Sequence, residues 1–95
     1  MMISVEDITI LKNKIRSLRD AINQCLEDSE LAMNMLAELK KSSQDKDQLY
    51  LASEAYGYAV MLKSSCNTAI SYINLILRNL MFLEKLLAKT IAPHG

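Results

Sequence analysis

The sequence predicts an all-α protein folded as one long antiparallel helical hairpin, and three observations lead to that fold class. Apolar side chains recur at alternating spacings of three and four residues in two long segments, which is typical of a heptad helix. The two segments come into register when the chain folds back near Asp45. Because no Gly or Pro occurs before Gly57, nothing in the first half of the chain breaks a helix.

Each apolar stripe supplies the predicted contact between the two helices. The first stripe contains Ile8, Leu11, Ile15, Leu18, Ile22, Cys25, Ser29, Ala32, Leu36 and Leu39, and the second contains Ala52, Ala55, Ala59, Leu62, Cys66, Ala69, Ile73, Ile76, Leu80 and Leu83. Folding at Asp45 places Ile8 opposite Leu83 and Leu39 opposite Ala52. Only one of the roughly seven relative phases of two heptads gives this match, so a single hairpin explains both stripes.

Capping residues mark the ends of the helices. Ser4 and Asp7 have the spacing of an N-terminal cap, and Asp45 and Gln48 repeat it after the polar turn. The predicted bounds are 5–41 for the first helix, 42–45 for the turn, 46–90 for the second helix and 91–95 for a flexible tail, all within one domain, 1–95.

Two positions leave alternatives open. Ser29 follows Glu27 and Asp28 and could cap a new helix, which would divide the first helix in two and give a three-helix bundle. Gly57 costs about 1 kcal/mol relative to Ala inside a helix. Its neighbours Ala55 and Ala59 predict that the two helices pack closely there.

The composition excludes several classes of function. Eleven Lys and Arg balance eleven Asp and Glu, so no net field attracts nucleic acid or an anionic membrane. The N-terminus lacks the pattern of a signal peptide, and no apolar run is long enough to cross a bilayer. Two cysteines, both on the helical stripes, are typical of a reduced protein. We therefore expect a cytoplasmic protein that does not insert into membranes.

The second helix is apolar around most of its circumference, whereas the first is apolar on one side only. One neighbour cannot cover such a helix, so we expect another helical protein or a second copy to complete a bundle. The predicted partner-binding residues are Ile70, Tyr72, Leu75, Leu77, Met81, Phe82 and Leu86. A weaker alternative is that 70–86 lies flat on a membrane surface.

No residue pattern indicates catalysis, a metal or a cofactor. Chorismate mutases of similar size bind a dicarboxylate between helices with inward-pointing cations, but the hairpin directs Arg16, Arg19, Lys40 and Arg78 away from the stripes, so we expect no small-molecule substrate. Cys25 and Cys66 fall opposite each other and are predicted to be small buried side chains, with a disulfide as the alternative. His94 lies in the tail.

The turn segment Asp45-Lys46-Asp47-Gln48-Leu49-Tyr50 lies between two coiled-coil helices. It is followed by an Ala-rich and then an Ile- and Leu-rich helix through Ser71-Tyr72-Ile73. This arrangement resembles the small co-chaperones of the type III secretion needle, over roughly residues 10–80. The resemblance implies a cytosolic helical hairpin that joins a larger helical-repeat chaperone and keeps the needle subunit from polymerising early.

Overall fold

The computed structural model describes residues 3–91, which form two antiparallel helices in a rod of 77 × 21 × 14 Å. Helix α1 spans Val5–Ser42 and helix α2 spans Lys46–Ile91. The predicted all-α hairpin is confirmed, and each helix ends one residue later than predicted. Because α1 runs through Ser29 without a break, the three-helix alternative is wrong. The rest of the predicted tail, 92–95, lies outside the described residues.

The predicted caps are present at both helix starts. Ser4 Oγ accepts a hydrogen bond from the Asp7 backbone N–H at 3.2 Å, and Asp7 Oδ2 accepts one from the Ser4 N–H at 2.9 Å. At the turn, Asp45 Oδ1 accepts from the Gln48 N–H, and Gln48 Oε1 accepts from the Gln44 N–H, both at 2.8 Å. These bonds satisfy backbone donors that have no partner within a helix, so they fix where each helix begins.

The contact between α1 and α2 is rotated relative to the predicted stripes. The members that recur every seven residues, from Ile8 in α1 and from Ala52 in α2, do face the other helix. The members between them turn towards one side of the contact, where Cys25 still reaches Cys66, and the residues one position later complete the interface. These interface residues are Lys12, Arg19, Leu26, Met33 and Lys40 on α1 and Tyr56, Lys63, Ile70, Leu77 and Glu84 on α2, all half-buried or buried.

Polar contacts across the interface accompany this rotation. Lys12 Nζ lies 2.9 Å from Glu84 Oε1, which belongs to one of the interface positions on α2. Further polar contacts between the helices are Thr9 Oγ1 to Glu84 Oε2 at 3.3 Å, an Arg19 guanidinium nitrogen to Asn74 Oδ1 at 3.2 Å, Lys63 Nζ to Glu30 Oε1 at 3.6 Å, and Lys40 Nζ 4.9 Å above the Tyr56 ring. We call this side of the hairpin the polar edge.

The expectation that Arg19 and Lys40 point away from the partner helix is therefore wrong. Both are half-buried, because a long basic side chain can lay its aliphatic stem along an interface and still reach a polar group at the rim. Gly57 itself takes no part in the close packing predicted from its Ala neighbours. Gly57 is exposed, and a Cβ atom placed there would meet no atom within 4 Å.

We expect the ion pair between Lys12 and Glu84 to make the stability of the hairpin depend on pH. The hydrogen bond from Lys12 lowers the pKa of Glu84 below its ordinary value of 4.5, against the opposing effect of burial and with help from Thr9. Since the pKa is lower in the folded chain, the stabilisation is complete above the unfolded pKa and is lost as the pH falls through the folded one.

Thermal unfolding of the wild type and Glu84→Gln between pH 7 and pH 3 measures this effect. The wild type should unfold at a higher temperature near pH 7, and the difference should shrink towards pH 3. Glu38→Gln is the matched control, because Glu38 pairs with Lys41 on an exposed surface at 3.6 Å. A difference for Glu84→Gln that stays constant with pH would contradict the assignment.

Candidate partner-binding surfaces

The rotation leaves an apolar face on the side of the hairpin opposite the polar edge. We call it the open face. It consists of Leu11, Leu18, Cys25, Ala32 and Leu39 of α1 and Ala55, Leu62, Ala69, Ile76 and Leu83 of α2. Its Leu and Ile side chains are exposed, and its Ala and Cys side chains are half-buried. In an antiparallel pair, positions turned by the same angle from the contact lie on the same side, so the two rows form one surface.

A shallow hollow near the turn shows that both rows border one surface. Its lining combines side chains of the open face with neighbours from both helices: Leu36, Leu39, Ser42, Ser43, Gln48, Leu51, Ala52 and Ala55. The lining contains no Lys or Arg, so it does not provide the paired cations that a dicarboxylate substrate requires. Apolar packing is the chemistry that this hollow can support.

The predicted partner-binding residues divide into two groups. Leu77 is only 8% exposed and Ile70 is half-buried, because both face α1. Tyr72, Leu75, Met81, Phe82 and Leu86 are exposed. Leu75 and Phe82 are seven residues apart, so they lie in one row on the side of α2 that points away from α1. We call this row the outer face of α2.

Basic side chains border the outer face of α2. Arg78, Lys85 and Lys89 are exposed, and Lys85 Nζ lies 5.9 Å from the centre of the Phe82 ring. Glu84 is the one carboxylate between residues 67 and 91, and it binds Lys12 across the interface. The local charge beside the outer face is therefore positive, although the whole chain is neutral.

Cys25 and Cys66 meet across the interface, as their opposed positions predict, and both are free thiols. Cys66 is buried and Cys25 is half-buried. Burial, together with the hydrogen bond to Cys25, raises the pKa of the Cys66 thiol. A raised pKa keeps Cys66 protonated at neutral pH, and the protonated thiol is the unreactive form.

Within residues 3–91, no three His, Cys, Asp or Glu side chains are grouped as metal ligands. Neither α1 nor α2 is apolar over a stretch long enough to span a bilayer. His94 lies outside the described residues.

Comparison with protein-family models, with curated proteins and with solved structures found no match to this chain. The outer face of α2 is therefore the basis for a proposal about its function.

Proposed function

We propose that the protein is a non-enzymatic assembly chaperone or adaptor that binds an amphipathic helix of another protein along the outer face of α2. The observation that supports this most directly is the exposure of Leu75 and Phe82 in one row on the back of the hairpin. Fully burying a Leu or Phe side chain contributes roughly 1.5–3 kcal/mol, and Leu75 is 46% and Phe82 55% exposed, so covering both would give about 1.5–3 kcal/mol of binding energy.

The shape and charge of this surface favour one kind of partner. A row of apolar side chains along a helix fits the apolar stripe of a second helix, with anchors one or two turns apart. Because Arg78, Lys85 and Lys89 border the row, the best-matched partner helix carries Asp or Glu beside its apolar stripe. Such charges at the rim of an interface increase the association rate and select the partner.

The mechanism that follows is stabilisation by mass action. A partner helix that exposes its apolar stripe would otherwise associate with itself, and binding to this chain shifts it towards a soluble complex. The resemblance to the small co-chaperones of the secretion needle gives this proposal a setting in the cytoplasm, where the client is a helical subunit held before secretion.

Two synthetic peptides with the same apolar stripe test the proposal. One carries Glu on both flanks of the stripe and the other carries Lys, and binding of each to the full chain is followed by fluorescence anisotropy. We expect the Glu peptide to bind more tightly and its affinity to fall as salt is added. Equal binding of the two peptides would contradict the proposed partner chemistry.

A pair of variants tests the surface itself. Leu75→Asp combined with Phe82→Asp should raise the Kd of the Glu peptide at least about 100-fold, since both anchors are lost and each new carboxylate would lie against the apolar stripe. Ser17→Asp combined with Asn34→Asp is the control, because it adds the same charge at exposed positions on α1. Unchanged binding by the first variant, with its helical circular dichroism intact, would refute the outer face as the site.

A further inference from the structure

We infer that the open face is a self-association surface, on which a second copy of this chain packs and completes a four-helix bundle. The open face and the outer face of α2 point in different directions, so this inference stands independently of the proposed function. It also places the second copy away from Leu75 and Phe82, which lie on the other side of α2.

The rotation of each helix indicates that a pair of helices, such as a second hairpin, packs on the open face. The predicted heptad stripe and the stripe that contacts the other helix share every seventh residue, and their centres lie about 50° apart around each helix axis. Both predicted stripes are turned towards the open face. In a square four-helix bundle, the direction from a helix axis to the bundle centre lies about 45° from the direction to the adjacent helix. In a three-helix bundle this angle is only about 30°.

The distribution of side chains agrees with this geometry. In four-helix bundles the heptad stripe fills the core, and charged residues beside it make ion pairs at the periphery. The polar edge has that character here, with Lys12 bound to Glu84 and Lys63 to Glu30 on the side away from the open face. The open face therefore has the composition of a bundle core, and the polar edge has that of a bundle periphery.

The open face also matches a second copy of itself. None of its ten positions carries a charge, so two identical faces can meet without opposing like charges. Each row has a small side chain at its middle, Cys25 in α1 and Ala69 in α2, and the α1 row ends in Leu on both sides. In either face-to-face orientation, the small middle of one copy meets the small middle of the other.

The size of the open face is sufficient for a stable dimer. The stretch from Leu11 to Leu39 is about 42 Å long at 1.5 Å per residue. With the 21 Å width of the rod, it offers roughly 900 Å² per copy. Standard protein interfaces bury about 800 Å² per partner.

Sedimentation equilibrium of the full chain tests this inference. The wild type should sediment with twice the 10.7 kDa mass of one chain. Leu18→Asp combined with Ile76→Asp should raise the dimer Kd at least about 100-fold, because four aliphatic side chains leave the dimer core. A wild type that stays monomeric at hundreds of micromolar would overturn the inference.

Leu75→Asp is the matched control, because Leu75 is 46% exposed and Ile76 is 42% exposed, yet they lie on different faces of α2. It should leave the dimer intact, and dissociation by Leu75→Asp would also overturn the inference. If the doubly charged variant loses its helical circular dichroism, Leu62→Gln with Leu83→Gln takes its place. Leu18→Asp with Ile76→Asp should still bind the Glu peptide, so failure of this inference is distinguishable from failure of the proposed function.

Discussion

Replacing Leu77 with Ala should lower the free energy of unfolding by about 2–4 kcal/mol, the usual cost of truncating a buried Leu. The same replacement at Leu75 should cost less than about 1 kcal/mol. The two residues are identical, lie two positions apart in α2 and differ in the face they occupy, since Leu77 is 8% exposed and Leu75 is 46% exposed. Urea unfolding followed by circular dichroism measures both values.

Both variants have to be compared at one protein concentration, because the stability of a self-associating chain depends on concentration. Equal losses at the two positions, or a larger loss at Leu75, would show that α2 does not present Leu77 to α1. Either result would remove the basis for the open face as well, because that face is defined by the same rotation.

Ser29→Leu should destabilise the hairpin by about 1–3 kcal/mol, because it forces extra volume into a packed interface. Ser29 is the most buried side chain of the described residues, at 2% exposure. In contrast, Ser29→Ala should change the stability by no more than about 0.5 kcal/mol. The Ser29 hydroxyl donates to the Leu26 carbonyl at 2.7 Å, and Ala compensates for that lost bond with its higher helix propensity.

Thermal unfolding of the two Ser29 variants distinguishes tight packing from a polar requirement. A large loss with Ser29→Ala would mean that the hydroxyl itself is needed at this position. A negligible loss with Ser29→Leu would mean that α1 and α2 leave room beside Ser29, which disagrees with its burial.

The fold could be predicted from the sequence because its signals are local and consistent with one another. The heptad spacing, the caps at Ser4 and Asp45 and the polar turn all indicate the same hairpin. Ser29 gave a conflicting signal, since a Ser after acidic residues commonly starts a helix. Packing decides this case, because the Ser29 hydroxyl bonds within α1 while its side chain fills the interface.

The rotation of the helices could not be predicted from apolar spacing alone. A heptad stripe shows which residues avoid water, but it does not show whether one neighbour or several cover them. Lys12 and Glu84 were the signal in the sequence that could have indicated the rotation, since they carry opposite charges and lie at similar positions along the length of the hairpin. Arg19 and Lys40 were assigned to solvent because they lie outside the predicted stripes, although their aliphatic stems suit an interface.

The candidate site was predictable in part. Projection around the second helix correctly leaves Leu75 and Phe82 exposed, because they lie opposite the shared interface positions. The projection could not distinguish these exposed residues from Ile70 and Leu77, which face α1, because that distinction depends on the rotation of the helices. The open face escaped sequence reasoning for the same reason, since its residues had been assigned to the contact between α1 and α2.

Hydroxyl-radical footprinting of Leu75, Ile76 and Leu77 over a range of protein concentrations tests the central claim most directly. Leu75 lies on the outer face, Ile76 on the open face and Leu77 in the interface between α1 and α2. We expect Leu77 to be protected and Leu75 to be modified at every concentration, whereas Ile76 should pass from modified to protected as the chain is concentrated. Protection of Ile76 with modification of Leu77 in dilute solution would contradict the rotation, and an Ile76 modified at every concentration would contradict self-association.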